Sequence, residues 1–266
     1  MYEMRYHKPE NLAEAAALFA GAVEGRYLSG GQTLIPTMKQ RLAAPSDVID
    51  ISAIAELKGI AATDEAVSIG AASTHAEVHA AEAVRRAIPA LADLAGTIGD
   101  PAVREMGTIG GSLANNDPAA DYPAAALALG ATIHTDKRAL SAKDFFTGLF
   151  ATALEEGEIV TRVDFPVPAS AAYSKFRNPA SRYAMAGVFL ARMKDGAVRV
   201  GVTGAGANGV FRATAIEQAL AVSFAPEAVD AVTIGEADLL SDIHAGATYR
   251  ANLVKVMARR AVAAIG

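Results

Sequence analysis

Cysteine is absent from all 266 residues. The chain therefore cannot hold an iron–sulfur cluster through its own thiolates, attack a substrate with a thiol or close a disulfide. Hydrophobic residues make up 52% of the sequence, yet no apolar run is long enough to span a bilayer. The opening Met1-Tyr-Glu-Met-Arg-Tyr6 lacks a secretory pattern, so a cytoplasmic protein is expected. The net charge is −5, and Arg85-Arg86 and Arg259-Arg260 are isolated basic pairs that read as solvated helix faces. With no basic stripe to displace counterions, nucleic acid is not an expected partner. The length allows a substantial core, in one large domain or in two or three small ones.

What is present is a pair of glycine loops, Leu28-Ser-Gly-Gly-Gln-Thr-Leu-Ile-Pro36 and Gly107-Thr-Ile-Gly-Gly-Ser-Leu-Ala-Asn-Asn-Asp-Pro-Ala-Ala-Asp-Tyr-Pro123. Adjacent glycines let the backbone take positive φ and approach a ligand, and consecutive N–H groups can form a nest for anionic oxygens. Hydroxyls stand ready in both loops, Ser29 and Thr33 in the first, Thr108 and Ser112 in the second. Neither loop carries lysine or arginine, so a phosphate held there would rest on amides and hydroxyls. That suits a large, permanently bound cofactor clamped at its diphosphate.

Periodicity and capping patterns place these loops among short elements. Asn11-Leu-Ala-Glu14 opens a helix to about Ala20, Tyr27 and Leu28 end a strand, and Thr33 to Arg41 reads as a helical turn interrupted by Pro36. Val48-Ile-Asp-Ile51, Leu57 to Ala62 and Ala66 to Ala72 read as strands. Thr74-His-Ala-Glu77 caps a helix through about Arg86, and Ile88 to Ala95 is a second helical stretch. Gly99 to Gly107 has turn chemistry. Ala124 to Leu129 is a helix, Thr132 to Thr135 a strand, Ser141-Ala-Lys-Asp144 a cap, and Ile159 to Phe165 a strand closed by Pro166 and Pro168. Pro166-Val-Pro-Ala-Ser-Ala is the clearest linker. Tyr173 to Phe176, a hydrophobic segment Ala184 to Met193, a turn at Asp195-Gly196, the strand Val198 to Val202 and at least two amphipathic helices complete the chain.

Other motifs have plainer readings. Gly204-Ala-Gly206-Ala-Asn-Gly209 has the GxGxxG spacing, with Glu227 or Asp230 downstream. A dinucleotide fingerprint needs its last glycine in the first helical turn. Here Val210-Phe-Arg-Ala intervenes and Thr214-Ala-Ile-Glu217 looks like the capping box, so the run reads as a loop. His75 and His79 lie four apart, but two ligands do not complete a zinc pattern and no metal site is assigned. Asp117, Asp121 and Asn115-Asn116 could serve Mg²⁺ or general-base chemistry, or Asp117 could simply form a turn before Pro118. No serine, histidine and acid set supports a hydrolase. Tyr183 could stack on a cofactor ring, although by residue type a buried core tyrosine is favoured. The residues alone describe an α/β binder of a large diphosphate ligand that would supply most of the chemistry.

The two loops, together with Lys175-Phe-Arg, Arg182-Tyr-Ala, Tyr6-His-Lys-Pro, Val48-Ile-Asp-Ile, Tyr249-Arg and Arg259-Arg-Ala, closely resemble the FAD-binding medium subunit of the molybdenum hydroxylases, the group of aerobic carbon monoxide dehydrogenase and xanthine dehydrogenase. The resemblance covers nearly the whole chain. It implies an α+β fold with α/β-type subdomains: a two-part FAD-binding domain like that of vanillyl-alcohol-oxidase-like flavoproteins (1–55 and 56–168), then an α/β C-terminal domain (169–266). Ser29, Gly30, Gly31, Gln32, Thr33 and Leu34 would wrap the pyrophosphate with Thr108, Ile109, Gly110, Gly111 and Ser112. Asn115 and Asp121 would bind further along, Asp121 toward the ribityl or flavin end, and Tyr183 would lie by the isoalloxazine. Ser29 stands where alanine is usual in the family, and Gln32 where histidine or asparagine is common.

The implied role is the electron outlet of a larger enzyme, with no catalytic residue and no metal on this chain. A small partner subunit with two [2Fe-2S] clusters would deliver electrons from a large molybdopterin subunit, and an external acceptor such as a quinone, oxygen or NAD⁺ would take them. The expected assembly is a dimer of heterotrimers. The alternatives are a stand-alone FAD-dependent oxidase or reductase of the same fold, and a non-redox nucleotide-binding or scaffolding protein.

Overall fold

The computed structural model describes residues 1–265. Three short parallel strands, Arg5–His7, Gly25–Leu28 and Asp47–Asp50, make the first sheet, with Asp47–Asp50 in the centre. Parallel neighbours need crossovers, and these are the helices Leu12–Ala20 and Leu34–Lys39. Asn11 caps the first by accepting the Glu14 amide at 2.9 Å. The interruption expected at Pro36 does not occur. Pro36 falls in the first turn of Leu34–Lys39, where its missing N–H costs no intrahelical bond.

The second sheet is antiparallel, in the order Ile60–Ala62, Ala66–Gly70, Val160–Pro166, Thr132–Thr135, Ala139–Ser141. Leu57, read as the start of a strand, lies instead in the 3-10 turn Ala55–Leu57. Thr74 and Glu77 form a reciprocal capping box at His75–Ala80. That helix does not run through to Arg86: Ala81 turns extended and a second helix, Glu82–Ala87, begins. Gly99–Gly107, read as turn, contains the helix Pro101–Met106, capped by Asp100 accepting the Val103 amide at 2.9 Å. Pro101 pre-sets the first helical position rather than breaking one.

The third sheet is an antiparallel series, Ser170–Arg177, Ala184–Arg192, Val198–Thr203 and Phe211–Arg212. Ala184–Arg192 is buried on both faces, which explains its unbroken apolar sequence. Phe189 and Ala191 join the core around the helix Tyr122–Leu129, while Val188 and Leu190 pack with the helix Ala247–Ile265. At Gly201 a Cβ would stand 2.1 Å from the Ala124 carbonyl oxygen, so glycine sets the closeness of that helix to the sheet. Thr214 does not cap its helix: Ala213 is the N-cap, and Glu217 instead binds Arg212 and accepts the Val200 amide at 2.8 Å. Among the described residues no helix is long and apolar enough to cross a membrane.

Candidate functional site

The two glycine motifs meet. Gly30 lies so close to Met106 and Gly107 that a Cβ there would be 2.2 Å from the Met106 carbonyl oxygen, and the hydroxyls of Ser29 and Thr108 are hydrogen-bonded at 2.9 Å. They line a cavity of about 760 Å³, within the size range of small-molecule and cofactor sites. Ser29, Gly30, Gly31, Gln32, Thr33, Leu34, Thr108, Gly110, Gly111, Ser112, Asn115, Asp121 and Tyr183 all contribute to its walls.

The motifs do different work. In the first, only Gly31 takes positive φ, at 69°, and the chain then turns into Leu34–Lys39. Among the described residues, the amides of Gly30, Gly31, Gln32, Thr33 and Leu34 meet no protein acceptor. This is the nest. The second motif is a helix, Ile109–Asn115, with Thr108 as its N-cap accepting the Gly111 amide at 3.2 Å. Its glycines are not at positive φ, contrary to expectation. Its amides are also committed, Ile109 to the Ser73 carbonyl at 3.1 Å, Gly110 to Ala71 at 2.9 Å and Ser112 to Thr108 at 3.0 Å. Ile109 is fully buried in the core and does not line the cavity, which corrects its assignment to the site. What this motif offers is the Thr108 and Ser112 hydroxyls and the absence of side chains.

Asp121 is buried, with Lys175 Nζ at 2.9 Å on one oxygen and the Tyr173 hydroxyl donating to the other. Lys175 Nζ also reaches the Thr97 carbonyl at 3.4 Å. Burial raises the Asp121 carboxyl above its usual range, opposed by the Lys175 charge. Asn115 faces the cavity, whereas Asn116, in the left-handed region at φ 43°, ties down the neighbouring hairpin through the Gly148 and Ala151 carbonyls at 2.9 and 2.8 Å. Asp117 accepts the Ala119 amide at 2.8 Å, the turn-forming role. The GxGxxG run is a loop between strands, and beside it the Thr203 hydroxyl and the Gly204 amide brace the Pro118 carbonyl at 3.1 and 2.8 Å. Tyr183 is 55% exposed and lines the cavity, which removes the core reading. Desolvation and the charges of Asp117 and Asp121 raise its hydroxyl pKa.

Several wall residues were not picked out as site residues from the sequence, among them His75, Ile98, Val103, Gly107 and the segment Leu154–Val160. Gly107 opens the second motif and His75 follows the Thr74 cap, but nothing local marks the others, which reach the cavity only by folding. The last segment is fixed by Glu158, which accepts from Arg138 at 2.9 Å, Thr135 at 2.7 Å and the Glu155 amide at 2.7 Å. The Arg138 hydrogen bond is the main cause holding its carboxyl down at about 2.

His75 and His79 do not converge: His79 Nδ1 bonds the Ala92 carbonyl at 2.8 Å, while His75 is buried at the cavity wall. Among the described residues no group of three or more His, Asp or Glu could hold a metal. Burial first, and the Arg104 charge second, lower His75 from 6.5 to about 4. The unfolded chain then binds a proton near pH 6.5 that the folded chain refuses until about 4. Stability contributed by His75 is therefore complete above 6.5 and lost as pH falls through that window, by about 3 kcal/mol. Denaturant unfolding at stepped pH should show this slope in the native chain and not in His75→Leu; equal slopes would refute it.

Residues 2–168 match the family described as the FAD binding domain in molybdopterin dehydrogenase. The chain belongs to that family. This FAD-binding medium subunit is 34% identical to the carbon monoxide dehydrogenase medium chain of Afipia carboxidovorans, over 97% of this chain and 94% of the relative. It is 33% identical to the nicotine 6-hydroxylase medium subunit of Paenarthrobacter nicotinovorans, over 99% and 97%. Its fold is similar to a chain of carbon monoxide dehydrogenase from Hydrogenophaga pseudoflava, with TM-score 0.89 and 32% identity, covering 99% of this chain and 97% of that one. The medium subunit is thus an oxidoreductase component with an α+β fold. Its cavity fits a dinucleotide: free amides and hydroxyls suit the diphosphate, and glycines at the loop contact leave no side chain in the way.

Proposed function

We propose that this chain holds FAD between its two glycine motifs and serves as the electron outlet of a molybdenum hydroxylase, between iron–sulfur clusters on a partner subunit and an external acceptor. The observation that carries the reading is the row of unpartnered amides from Gly30 to Leu34, opening on the same cavity as the Thr108 and Ser112 hydroxyls. FAD, when bound, supplies a store for two electrons that can be loaded and discharged singly. Ser29, Gly30, Gly31, Gln32, Thr33 and Leu34 would hold the pyrophosphate with Thr108 and Ser112, while Gly110 and Gly111 keep that surface clear. Asn115 and the anchored Asp121 would position the remainder, and Tyr183 would cover the reacting ring. The division into 1–55, 56–168 and 169–266, one of the three larger sheets in each part, belongs to the proposal.

With no thiolate in this sequence, the clusters belong on another polypeptide, and the molybdopterin on a third. The relatives named medium chain or medium subunit support that division. The test is the visible spectrum of the purified chain and the identity of the cofactor released on denaturation. One FAD per chain is expected, with no substrate turnover until small and large partners are added. A colourless chain that FAD cannot reconstitute, even with partners present, would overturn the reading, and efficient alcohol turnover by the chain alone would favour a self-sufficient oxidase. Tyr183→Ala should leave FAD affinity within about threefold but change the reoxidation rate about tenfold or more, since the ring is more than half exposed at the wall. Unchanged reoxidation and potential would remove Tyr183 from the site.

A further inference from the structure

His75 is the first residue of its helix, and its backbone amide is spent on the Gly107 carbonyl at 2.9 Å. Its side chain, only 5% exposed, lines the cavity, with the Tyr122 ring centroid 5.4 Å away. Nδ1 is sealed from solvent and has no hydrogen-bond partner. Nε2 lies beside Gly107, itself a wall residue, where an added Cβ would come within 2.7 Å of it. A sealed N–H without an acceptor is a rarer and costlier defect than a sealed lone pair. The proton therefore belongs on Nε2, which makes His75 a donor on the side of Gly107. Among the described residues no protein acceptor meets that donor. A neutral, buried donor at a cofactor wall that lacks a protein acceptor calls for one from the ligand.

Resting on the reading of this cavity as an FAD site, we propose that His75 is a cofactor-positioning residue whose Nε2–H donates a hydrogen bond to an acceptor atom of the bound dinucleotide. Acceptors occur along the whole ligand, as phosphate oxygens, sugar hydroxyls, ring nitrogens and carbonyls. The shared chemistry is a neutral donor to such an atom, and the half of the ligand concerned is open to direct measurement. Helix capping is separate from this role, because Thr74 and Glu77 make the capping bonds.

The experiment is a flavin-fluorescence titration of the full chain, native and as His75→Leu and His75→Gln, with melting curves recorded alongside. His75→Leu should weaken FAD about tenfold, the usual scale of one hydrogen bond, and His75→Gln, which keeps an N–H donor, should recover most of it. Competition by ADP and by FMN identifies the contacted half, since only that fragment loses affinity in His75→Leu. In native protein, ¹⁵N NMR should place the proton on Nε2 and show that resonance moving when FAD is added. Unchanged FAD affinity in a folded His75→Leu, or a proton on Nδ1, would overturn the proposal. If His75→Leu fails to fold, the NMR result on the native chain decides alone. A native chain that binds no FAD, even with its partners, would instead defeat the reading on which this rests.

Discussion

Gly30→Ala will weaken FAD binding by about 100-fold or more, through the contact between the two motifs rather than through the ligand. The added Cβ would lie 2.2 Å from the Met106 carbonyl oxygen and 2.7 Å from the Gly107 Cα. Both obstacles are backbone, so no flexible side chain can yield, and the motifs must part by roughly 1 Å, a displacement large enough to ruin oriented hydrogen bonds. The 2.9 Å Ser29–Thr108 hydrogen bond goes with them, and the free amides of Gly30 to Leu34 no longer face the Thr108 and Ser112 hydroxyls. Gly111→Ala tests the ligand side instead: within the protein its Cβ would meet only Thr108 Oγ1, at 3.0 Å, so a loss of FAD affinity without a fall in melting temperature reports the surface Gly111 keeps clear. Gly110 is a poorer probe of binding: a Cβ there meets Ala71 at 2.5 Å, so substitution disturbs the helix seat first. Flavin titration with melting curves separates the cases. If Gly30→Ala binds FAD within threefold of native, the contact is not what aligns the site.

Lys175→Met will destabilise the chain by about 3–5 kcal/mol, the scale for removing one partner of a buried ion pair. The ammonium and the Asp121 carboxylate are 3% and 4% exposed and 2.9 Å apart. Without Lys175, the Asp121 carboxyl keeps only the Tyr173 hydroxyl as partner. For a chain of this size the loss corresponds to a melting-point drop of roughly 10 °C. Burial already raises the Asp121 pKa, and losing the opposing cation raises it further, so the deficit grows as pH rises from the ordinary carboxyl range toward the raised folded value, levels off above it and shrinks in acid. Replacing both residues, Asp121→Leu with Lys175→Met, should recover most of the stability while sacrificing the order of that wall. A Lys175→Met chain that melts within 2 °C of native at neutral pH would show that the pair is not buried as described.

Much of the frame was legible along the chain because its causes are local. Asn11, Thr74 and Ser141 accept the amides three residues on, and Glu77 accepts the Thr74 amide in return. The unbroken apolar stretch from Ala184 reads only as a hydrophobic segment, and the structure makes it a strand whose alternate residues enter two different cores. The misreadings share a cause. The segments around Pro36 and Pro101 read as interruption and turn, but each proline sits in a first helical turn, where it is at home. Glu217 was assigned to a cap, whereas a charged partner at Arg212 and a strand amide at Val200 outbid the helix end.

The sequence by itself determined that the chain carries no thiolate chemistry, and that two glycine motifs with hydroxyls and no cations stand in a fixed order that suits a large diphosphate ligand; the family resemblance, not the pattern, implies FAD. Composition and spacing suffice for such statements, since they depend on which groups exist and not on where they lie. Only the tertiary structure decided which motif keeps its amides free and which is a capped helix. Identical glycines give free amides after Leu28 but paired ones after Thr108, because Ala71 and Ser73 supply carbonyl acceptors at the second site. It also decided that Ile109 belongs to the core, that Asp121 is held by residues more than 50 positions away, and that His75 faces the cavity. Hydrogen-bond satisfaction and burial are properties of what the chain brings together from afar, and no local pattern records them.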